Sequence, residues 1–381
     1  MKEWKTYKVG EICSSISETY KGHSKSVVLI NTSDVLEGRC LNHELVPNKD
    51  LKGQFKKVFK FGDILYSEIR PANKRFAYID FDAIDYIAST KLMVLRNNEN
   101  VSNRFLYHFL KSESTIAELQ ALAESRSGTF PQITFSELSQ LEISIPDIET
   151  QLAISNFIDT LESKIELNRQ INDNLKQQAQ ALYKSWFVDF EPFKDQEFVD
   201  SEIGLIPENW NCTTLSEFIS IKYGKDHKKL ADGIIPVFGS GGLMRHVDTK
   251  LHEGESVLIP RKGSLNNVMY VNEAFWTVDT MFYSTPKVEN SCIYAYLFLA
   301  NKDLASMNAG SAVPSMTTDI LNNMPIIAPP TEVLKQFNNI CNVYFSRIHQ
   351  NNIENANLAK QRDTLLPKLM SGELKINETD C

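Results

Sequence analysis

Apolar residues recur along two stretches of the chain at steps that alternate strictly between four and three. The first stripe is Ile154, Ile158, Leu161, Ile165, Asn168, Asn172, Leu175, Ala179, Leu182, Trp186. The second is Phe337, Cys341, Tyr344, Ile348, Asn351, Asn355, Leu358, Arg362, Leu365, Leu369. A period of 3.5 residues keeps one helix face turned to a partner helix, so each stripe predicts one strand of a coiled coil. Amphipathic helices lying on a globular core would also be striped. A shared flaw favours the seam: both copies place two Asn residues, Asn168 and Asn172 against Asn351 and Asn355, at matching positions. A polar Asn weakens a seam but fixes its register. The first stripe runs about 48 Å at 1.5 Å per residue, a spacer rather than a packing helix. Pro146 and Glu191-Pro192 bracket it; Pro329-Pro330 precede the second helix, and Pro367 and Gly372 mark its expected end.

The stripes belong to a larger repeat. A constant offset of 183 aligns Pro146 with Pro329, Ile165 with Ile348 and Leu182 with Leu365. The segments before each helix correspond more loosely. Each has a Trp followed by a short apolar helix (Trp4 with Val9–Ile12, Trp210 with Leu215–Phe218). Each has a glycine–acid–strand unit at Gly62-Asp63 and Gly254-Glu255, and an aromatic helix at Phe105–Leu110 and Tyr294–Leu299. Each has a late glycine turn, at Gly128 and Gly310. Runs at Val27–Ile30, Phe76–Ile79, Leu92–Leu95 and Val268–Val271 read as strands. The predicted class is α+β, with a pseudo-two-fold internal repeat. Two mixed α/β domains, 1–145 and 207–328, alternate with two long helices, 146–190 and 329–375, that form an antiparallel coiled coil. Residues 191–206 read as a linker and 376–381 as a tail.

The chain has 381 residues and a net charge of −8, which taken alone does not suggest a nucleic-acid binder. The balance is uneven, because residues 1–140 sum to +2 and residues 141–200 to −7. The excess acid sits mainly in residues 141–200, so DNA binding elsewhere is not excluded. Cys13, Cys40, Cys212, Cys292, Cys341 and Cys381 are scattered, without a close pair, as in a reduced cytoplasmic protein. The opening Met-Lys-Glu-Trp-Lys has no apolar stretch, so no secretory signal is expected, and no apolar run is long enough to span a membrane.

Two segments carry a resemblance. The run from Ser163 through Asn172, continued by Ala181-Leu-Tyr-Lys-Ser-Trp-Phe-Val-Asp-Phe190, is similar to the central conserved region of type I restriction–modification specificity subunits. The run Arg362-Asp-Thr-Leu-Leu-Pro-Lys-Leu-Met-Ser-Gly-Glu-Leu374 is similar to that family's distal conserved region. The resemblance covers nearly the whole chain. It implies two target-recognition domains, each reading one half of a bipartite site on double-stranded DNA. It implies that the paired helices set the spacing and dock two methyltransferase subunits, with restriction subunits joining that core. S-adenosylmethionine, ATP and Mg²⁺ would then belong to the partner subunits, and this chain would be a non-catalytic subunit with no cofactor of its own. Two similar domains on an antiparallel spacer fit paired half-sites independently. A 48 Å spacer matches roughly 14 base pairs as an upper estimate.

Motifs for chemistry in this chain are sparse. There is no G-x-x-x-x-G-K-[ST] loop, and Gly239-Ser240-Gly241-Gly242 lacks the third glycine of a dinucleotide fingerprint, where Met244 stands. The Asn-Pro-Pro-aromatic motif of adenine methyltransferases is absent. The seven His residues show no ligand spacing, so neither a catalytic nor a metal site is expected. Pro146-Asp147 with Glu162-Ser163-Lys164 imitates a nuclease signature. Along one continuous helix, however, Asp147 and Glu162 would stand about 22 Å apart, too far to share an ion.

Candidate DNA contacts are basic and amide residues on predicted loops. In the first domain they are Arg70, Lys74, Arg75, Lys91, Arg126 and Gln132. In the second they are Lys225, Lys228, Lys229, Arg245, His246, Arg261, Lys262, Asn266 and Asn267. Arg can grip guanine with two hydrogen bonds and Asn or Gln adenine, whereas Lys mostly meets phosphate. A solvated surface charge is the plain alternative for each. Glu162, Glu166 and Asp173 would face either solvent or methyltransferase subunits. The cluster Trp186-Phe187-Val188-Asp189-Phe190 would either pack on the linker or anchor a partner.

Overall fold

A computed structural model of the chain describes residues 4–49, 51, 53–98, 101–125, 131–307 and 315–376. Two compact units emerge, residues 1–167 with 354–381 and residues 168–353. Both mix α and β, as the class α+β requires.

In the first unit, strand Lys5–Lys8 pairs antiparallel with Glu142–Ile145, tying the start of the domain to the entry of the long helix. Two four-stranded sheets follow. One is ordered Leu45–Pro47, Ser26–Ile30, Tyr86–Ser89, Phe55–Val58; the other is ordered Cys13–Ile16, Leu92–Asn97, Ile64–Ser67, Phe76–Tyr78. Asp63 of the glycine–acid unit is buried and structural. It takes two 2.7 Å hydrogen bonds from the Arg96 guanidinium and another from the Lys60 N–H. In the second unit the corresponding strand pair is Asn211–Thr214 with Pro325–Ala328. The sheet is different, six-stranded, in the order Ile219–Tyr223, Met281–Pro286, His252–Pro260, Met269–Thr277, Asp232–Gly239, Gly242–Val247. The expected one-turn helices form at Val9–Ile12 and Leu215–Phe218, and the aromatic helices at Asn103–Leu110 and Cys292–Ala300. The late glycine turns at Gly128 and Gly310 lie outside the described residues.

The long helices are Ile148–Phe187 and Thr331–Met370, 40 residues each, or about 60 Å. Each begins in one unit and ends in the other. The first starts where Asp147 accepts a hydrogen bond from the Thr150 N–H at 3.1 Å, an N-cap after Pro146. The second ends between Pro367 and Gly372, the two residues that mark its end in the sequence. It continues to Met370, because Leu366 and Leu369 on that last turn are buried in the first unit's core. Gly372, at φ +74°, then closes it with its N–H on the Leu369 carbonyl.

Within each unit the two helix segments run antiparallel. In the first, Lys164 lies 3.6 Å from Glu354 and Glu162 lies 3.5 Å from Arg362. In the second, Asn172 meets Asn351 and Asn352, and the rings of Phe187 and Phe337 are 4.8 Å apart. Every residue of both predicted stripes is buried or half-buried. Each unit's main core takes in helix residues: Ile154, Ile158, Leu366 and Leu369 in the first, and Ala179, Phe187, Phe337 and Cys341 in the second.

Residues 191–206 are folded rather than an open linker. A one-turn helix, Glu191–Phe193, leads into an antiparallel hairpin of Phe198–Ser201 with Gly204–Pro207. The hairpin region answers the question about the aromatic cluster. Trp186 contacts Phe193, while Phe187 and Phe190 contact Trp210. Phe187 and Phe190 are buried there, and Val188 remains exposed.

Asn168, Asn172 and Asn351 are buried, and Asn355 is half-buried. Asn172 donates to Asn352 Oδ1 at 2.9 Å and accepts from Asn351 at 2.7 Å. Replacing Asn172 with Ala strands the buried Asn351 amide, which should cost about 1–3 kcal/mol. Urea unfolding of Asn172→Ala should show this loss; an unchanged midpoint would mean the amides do not hold the register.

Candidate nucleic-acid interface

In the first unit a strand end presents the candidates. After Ile64–Ser67 the chain turns through a one-turn helix, Pro71–Asn73, flanked by Arg70 (φ +44°) and Lys74 (φ +53°). Left-handed backbone at a non-glycine residue costs about 1–2 kcal/mol, so contacts must hold it. Arg70 N–H donates to the Pro131 carbonyl at 3.0 Å, Ile69 bridges to Gln132, and Ala72 N–H donates to Gln120 at 3.0 Å. Lys91 Nζ reaches Gln132 Oε1 at 3.1 Å and Glu68 at 3.3 Å. Arg70, Lys91 and Gln132 therefore share one exposed patch. The Arg70 guanidinium has no partner among the described residues. Lys74 and Arg75 are occupied instead: Lys74 pairs with Glu113, and Arg75 donates to the Ser33 and Val35 carbonyls. Arg126 lies outside the described residues.

In the second unit the matching strand, His252–Pro260, delivers Arg261 and Lys262, and Lys262 bridges to Ser315 as Ile69 does to Gln132. The Arg261 guanidinium sits 5.4 Å from the ring centre of Tyr223, which is 53% exposed, and donates to the Asp279 carbonyl at 3.4 Å. Tyr223 is a contact that charge reasoning missed; its signal was an aromatic at a strand end beside Gly224 and Lys225. Lys225 is exposed, its backbone tied to Thr277 and Trp276. Lys228, Lys229 and His246 are exposed. Arg245 is held by Asp232 at 3.0 Å and by the Leu230 carbonyl. Asn266 and Asn267 serve the scaffold: Asn266 bridges Asp303 and the Ala305 N–H, and Asn267 donates to the Ser240 carbonyl. The chemistry of both patches is that of anion and base-edge contact: exposed guanidinium and ammonium groups, an amide and one aromatic face.

A charged network lies apart from these patches, in the first unit; His108 in it is fully buried and the five charged residues are half-buried. Arg104 grips both carboxylate oxygens of Asp159 at 2.8 Å, and His108 Nε2 lies 2.9 Å from Asp159 Oδ1. Lys111 pairs with Glu162, which also meets Arg362. Glu162 is therefore half-buried between cations rather than facing solvent or a partner. Glu166 lies 3.9 Å from Arg39, and Asp173 is exposed beside Lys176. His108, Asp159 and Glu162 could each offer a metal-ligand atom, all within 4.8 Å. Three neighbouring cations, Arg104, Lys111 and Arg362, already hold those carboxylates, so the chemistry does not fit a metal ion. Asp147 caps its helix, outside this cluster. Burial pushes His108 down to about 4, with Lys111 adding to the effect. Burial alone would raise Asp159, yet the adjacent His108 ring and the hydrogen bonds from Arg104 hold it down to about 2. Burial lowers Lys111 to about 8, against the pull of Glu162.

The chain carries two DNA specificity domains of one family. A family model described as the type I restriction modification DNA specificity domain matches residues 1–177 and 207–358, and the chain belongs to this family. It is 32% identical to the type I restriction enzyme HindI specificity subunit of Haemophilus influenzae, across 98% of this chain and all of that protein. It is 26% identical to the MjaIX specificity subunit of Methanocaldococcus jannaschii, over 87% of this chain and 82% of that one. The fold is similar to that of a type I restriction–modification S subunit from M. genitalium, with a TM-score of 0.57, 18% identity, and 97% and 96% of the two chains covered. Among the described residues no helix is long and apolar enough to cross a membrane.

His108 and Asp159 both bind protons more tightly in the unfolded chain. Stability therefore falls on acidification, first as pH drops below about 6.5 for His108, then below about 4 for Asp159. Between pH 7 and pH 5 the His108 contribution amounts to about 2 kcal/mol. Urea unfolding at the two pH values should show that loss, and His108→Leu should flatten it; an equal slope in both proteins would exclude His108 as its source.

Proposed function

We propose that the chain is the sequence-recognition subunit of a type I restriction–modification complex and has no catalysis of its own. Each recognition domain reads one half of a bipartite site on double-stranded DNA. The paired helices fix the unread gap and dock two methyltransferase subunits, with restriction subunits joining them. Adenine methylation or cleavage is then directed by this chain but performed by partners, which carry S-adenosylmethionine, ATP and Mg²⁺. The complex works in the cytoplasm, where its DNA is. The observation that carries this reading is the repeat itself: two specificity domains on one pair of antiparallel helices, within a family of DNA specificity subunits.

The base contacts of this reading are Arg70 and Gln132 in the first domain and Arg261 with Tyr223 in the second. Lys91, Lys225 and Lys262 supply phosphate contacts. Co-expression with the neighbouring methyltransferase gene, followed by single-molecule sequencing of the cellular DNA, tests it. A bipartite motif methylated on both strands is expected. Absence of new methylation with both proteins present and associated would overturn it. Arg261→Ala should relax one half-site only, losing about 1–3 kcal/mol of discrimination there; loss at both halves would contradict modular reading. Removing one matched heptad from each long helix should shorten the gap by about 3 base pairs, since seven residues span roughly 10 Å. An unchanged gap would defeat the idea that the helices act as a ruler.

A further inference from the structure

The charged network of the first unit has no counterpart in the second, although the repeat supplies every matching position. An offset of 189 relates the aromatic helices: Ser102 and Ser291 precede them, and the N–H groups of Asn98 and Lys287 both donate to the last residue of the unit's first one-turn helix. On that alignment Arg104, His108 and Lys111 correspond to Ile293, Leu297 and Ala300. On the long helices, with the offset of 183, Asp159 and Glu162 correspond to Asn342 and Phe345, and Arg362 corresponds to Ala179. Six positions are therefore five charged groups and a histidine in one unit, and uncharged in the other. In the second unit Phe345 packs its ring 5.6 Å from Tyr296 and 4.9 Å from Tyr270, and Ile293, Leu297 and Ala179 are buried. Tyr107, which corresponds to Tyr296, instead lies under the Arg104 and Lys111 cations at 5.4 and 4.5 Å.

A buried ion network does not outperform apolar packing for stability, but removing its partners leaves uncompensated buried charge and is severe. Stability therefore does not explain why one seat is charged; discrimination does. We propose that Arg104, His108 and Lys111 against Asp159, Glu162 and Arg362 form a seating key, which admits the first recognition domain to its own helix segments and rejects the second. The reciprocal seat is uncharged and, apart from the exposed Asn342, apolar. The first domain placed there would bury Arg104 and Lys111 against Phe345 and Ala179. The second domain placed on the first seat would leave Asp159, Glu162 and Arg362 facing Ile293, Leu297 and Ala300. The key thus makes a nearly symmetric spacer directional, and it explains how two similar domains on one chain avoid exchanging places.

The test uses three variants of the full chain and needs no DNA, so its outcome is independent of the proposed function. The first carries Arg104→Ile, His108→Leu and Lys111→Ala. The second carries Asp159→Asn, Glu162→Phe and Arg362→Ala. The third carries all six substitutions. Thermal unfolding and tryptic cleavage within residues 1–145 are measured for each. Either half-set alone should lower the first unit's unfolding midpoint by about 10 °C and expose the domain to cleavage. The combined set should recover most of that loss, because it rebuilds the second unit's seat. Additive losses would overturn the key, as would half-sets without effect. If the six-fold variant does not fold, the second unit supplies the same cycle. Ile293→Arg, Leu297→His and Ala300→Lys are combined there with Asn342→Asp, Phe345→Glu and Ala179→Arg. Recovery of the combined set over its halves supports the key, and its absence overturns it.

Discussion

Neither recognition domain closes its core without both long helices. The second unit's core contains Ala179, Tyr183 and Phe187 from the end of one helix, and Leu334, Phe337, Cys341, Phe345 and Ile348 from the start of the other. The first unit's core takes Ile154 and Ile158 from one and Leu366 and Leu369 from the other. Each fully buried side chain of this size contributes about 1.5–3 kcal/mol. The helix ends therefore belong to the domains as much as to the seam. A domain cannot come loose from its helix segments without opening its own core, and rigid placement of the reading loops follows from that constraint.

The same constraint explains which features were legible in the sequence. The seam was, because a 3.5-residue period survives any surface chemistry and the 183 offset repeats it with its Asn residues in place. The end of the second helix was legible from Pro367 and Gly372 together: burial of Leu366 and Leu369 carries the helix through the proline, and Gly372 closes it. The stretch 191–206 read as a linker because its Pro and acidic residues are loop-like; Trp186 and Trp210 make it part of a core. Asn352 was missed as the partner of Asn172 because it lies beside the stripe rather than on it.

The candidate interface was legible only in part, for a physical reason. Residue type says what a side chain can contact, whereas reach depends on what it is already bonded to. Arg70, Lys91 and Gln132 converge on one exposed edge, but Arg75, Asn266 and Asn267 have the same chemistry and hold loops together. Nothing in the local sequence separates the two groups. The separation comes from tertiary hydrogen bonds, which link positions as distant as Asn267 and Ser240 or Arg75 and Ser33.

The charged network was the opposite case. Its residues are visible in the sequence, where Glu162 imitates a nuclease ligand or a partner-facing charge, but no single segment shows that they meet. Subtracting one repeat from the other isolates them at once, because Asp159, Glu162 and Arg362 become Asn342, Phe345 and Ala179. In a chain built twice, positions that agree report what both halves need, such as the seam and the strand pair that enters each helix. Positions that disagree in charge around a buried centre report what tells the halves apart. Burial is the deciding condition: an exposed difference costs almost nothing to vary, whereas a buried mismatch of charge costs several kcal/mol. His108 meets that condition fully, being 0% exposed. By this argument it is among the first residues to inspect when one domain of such a chain is exchanged for another.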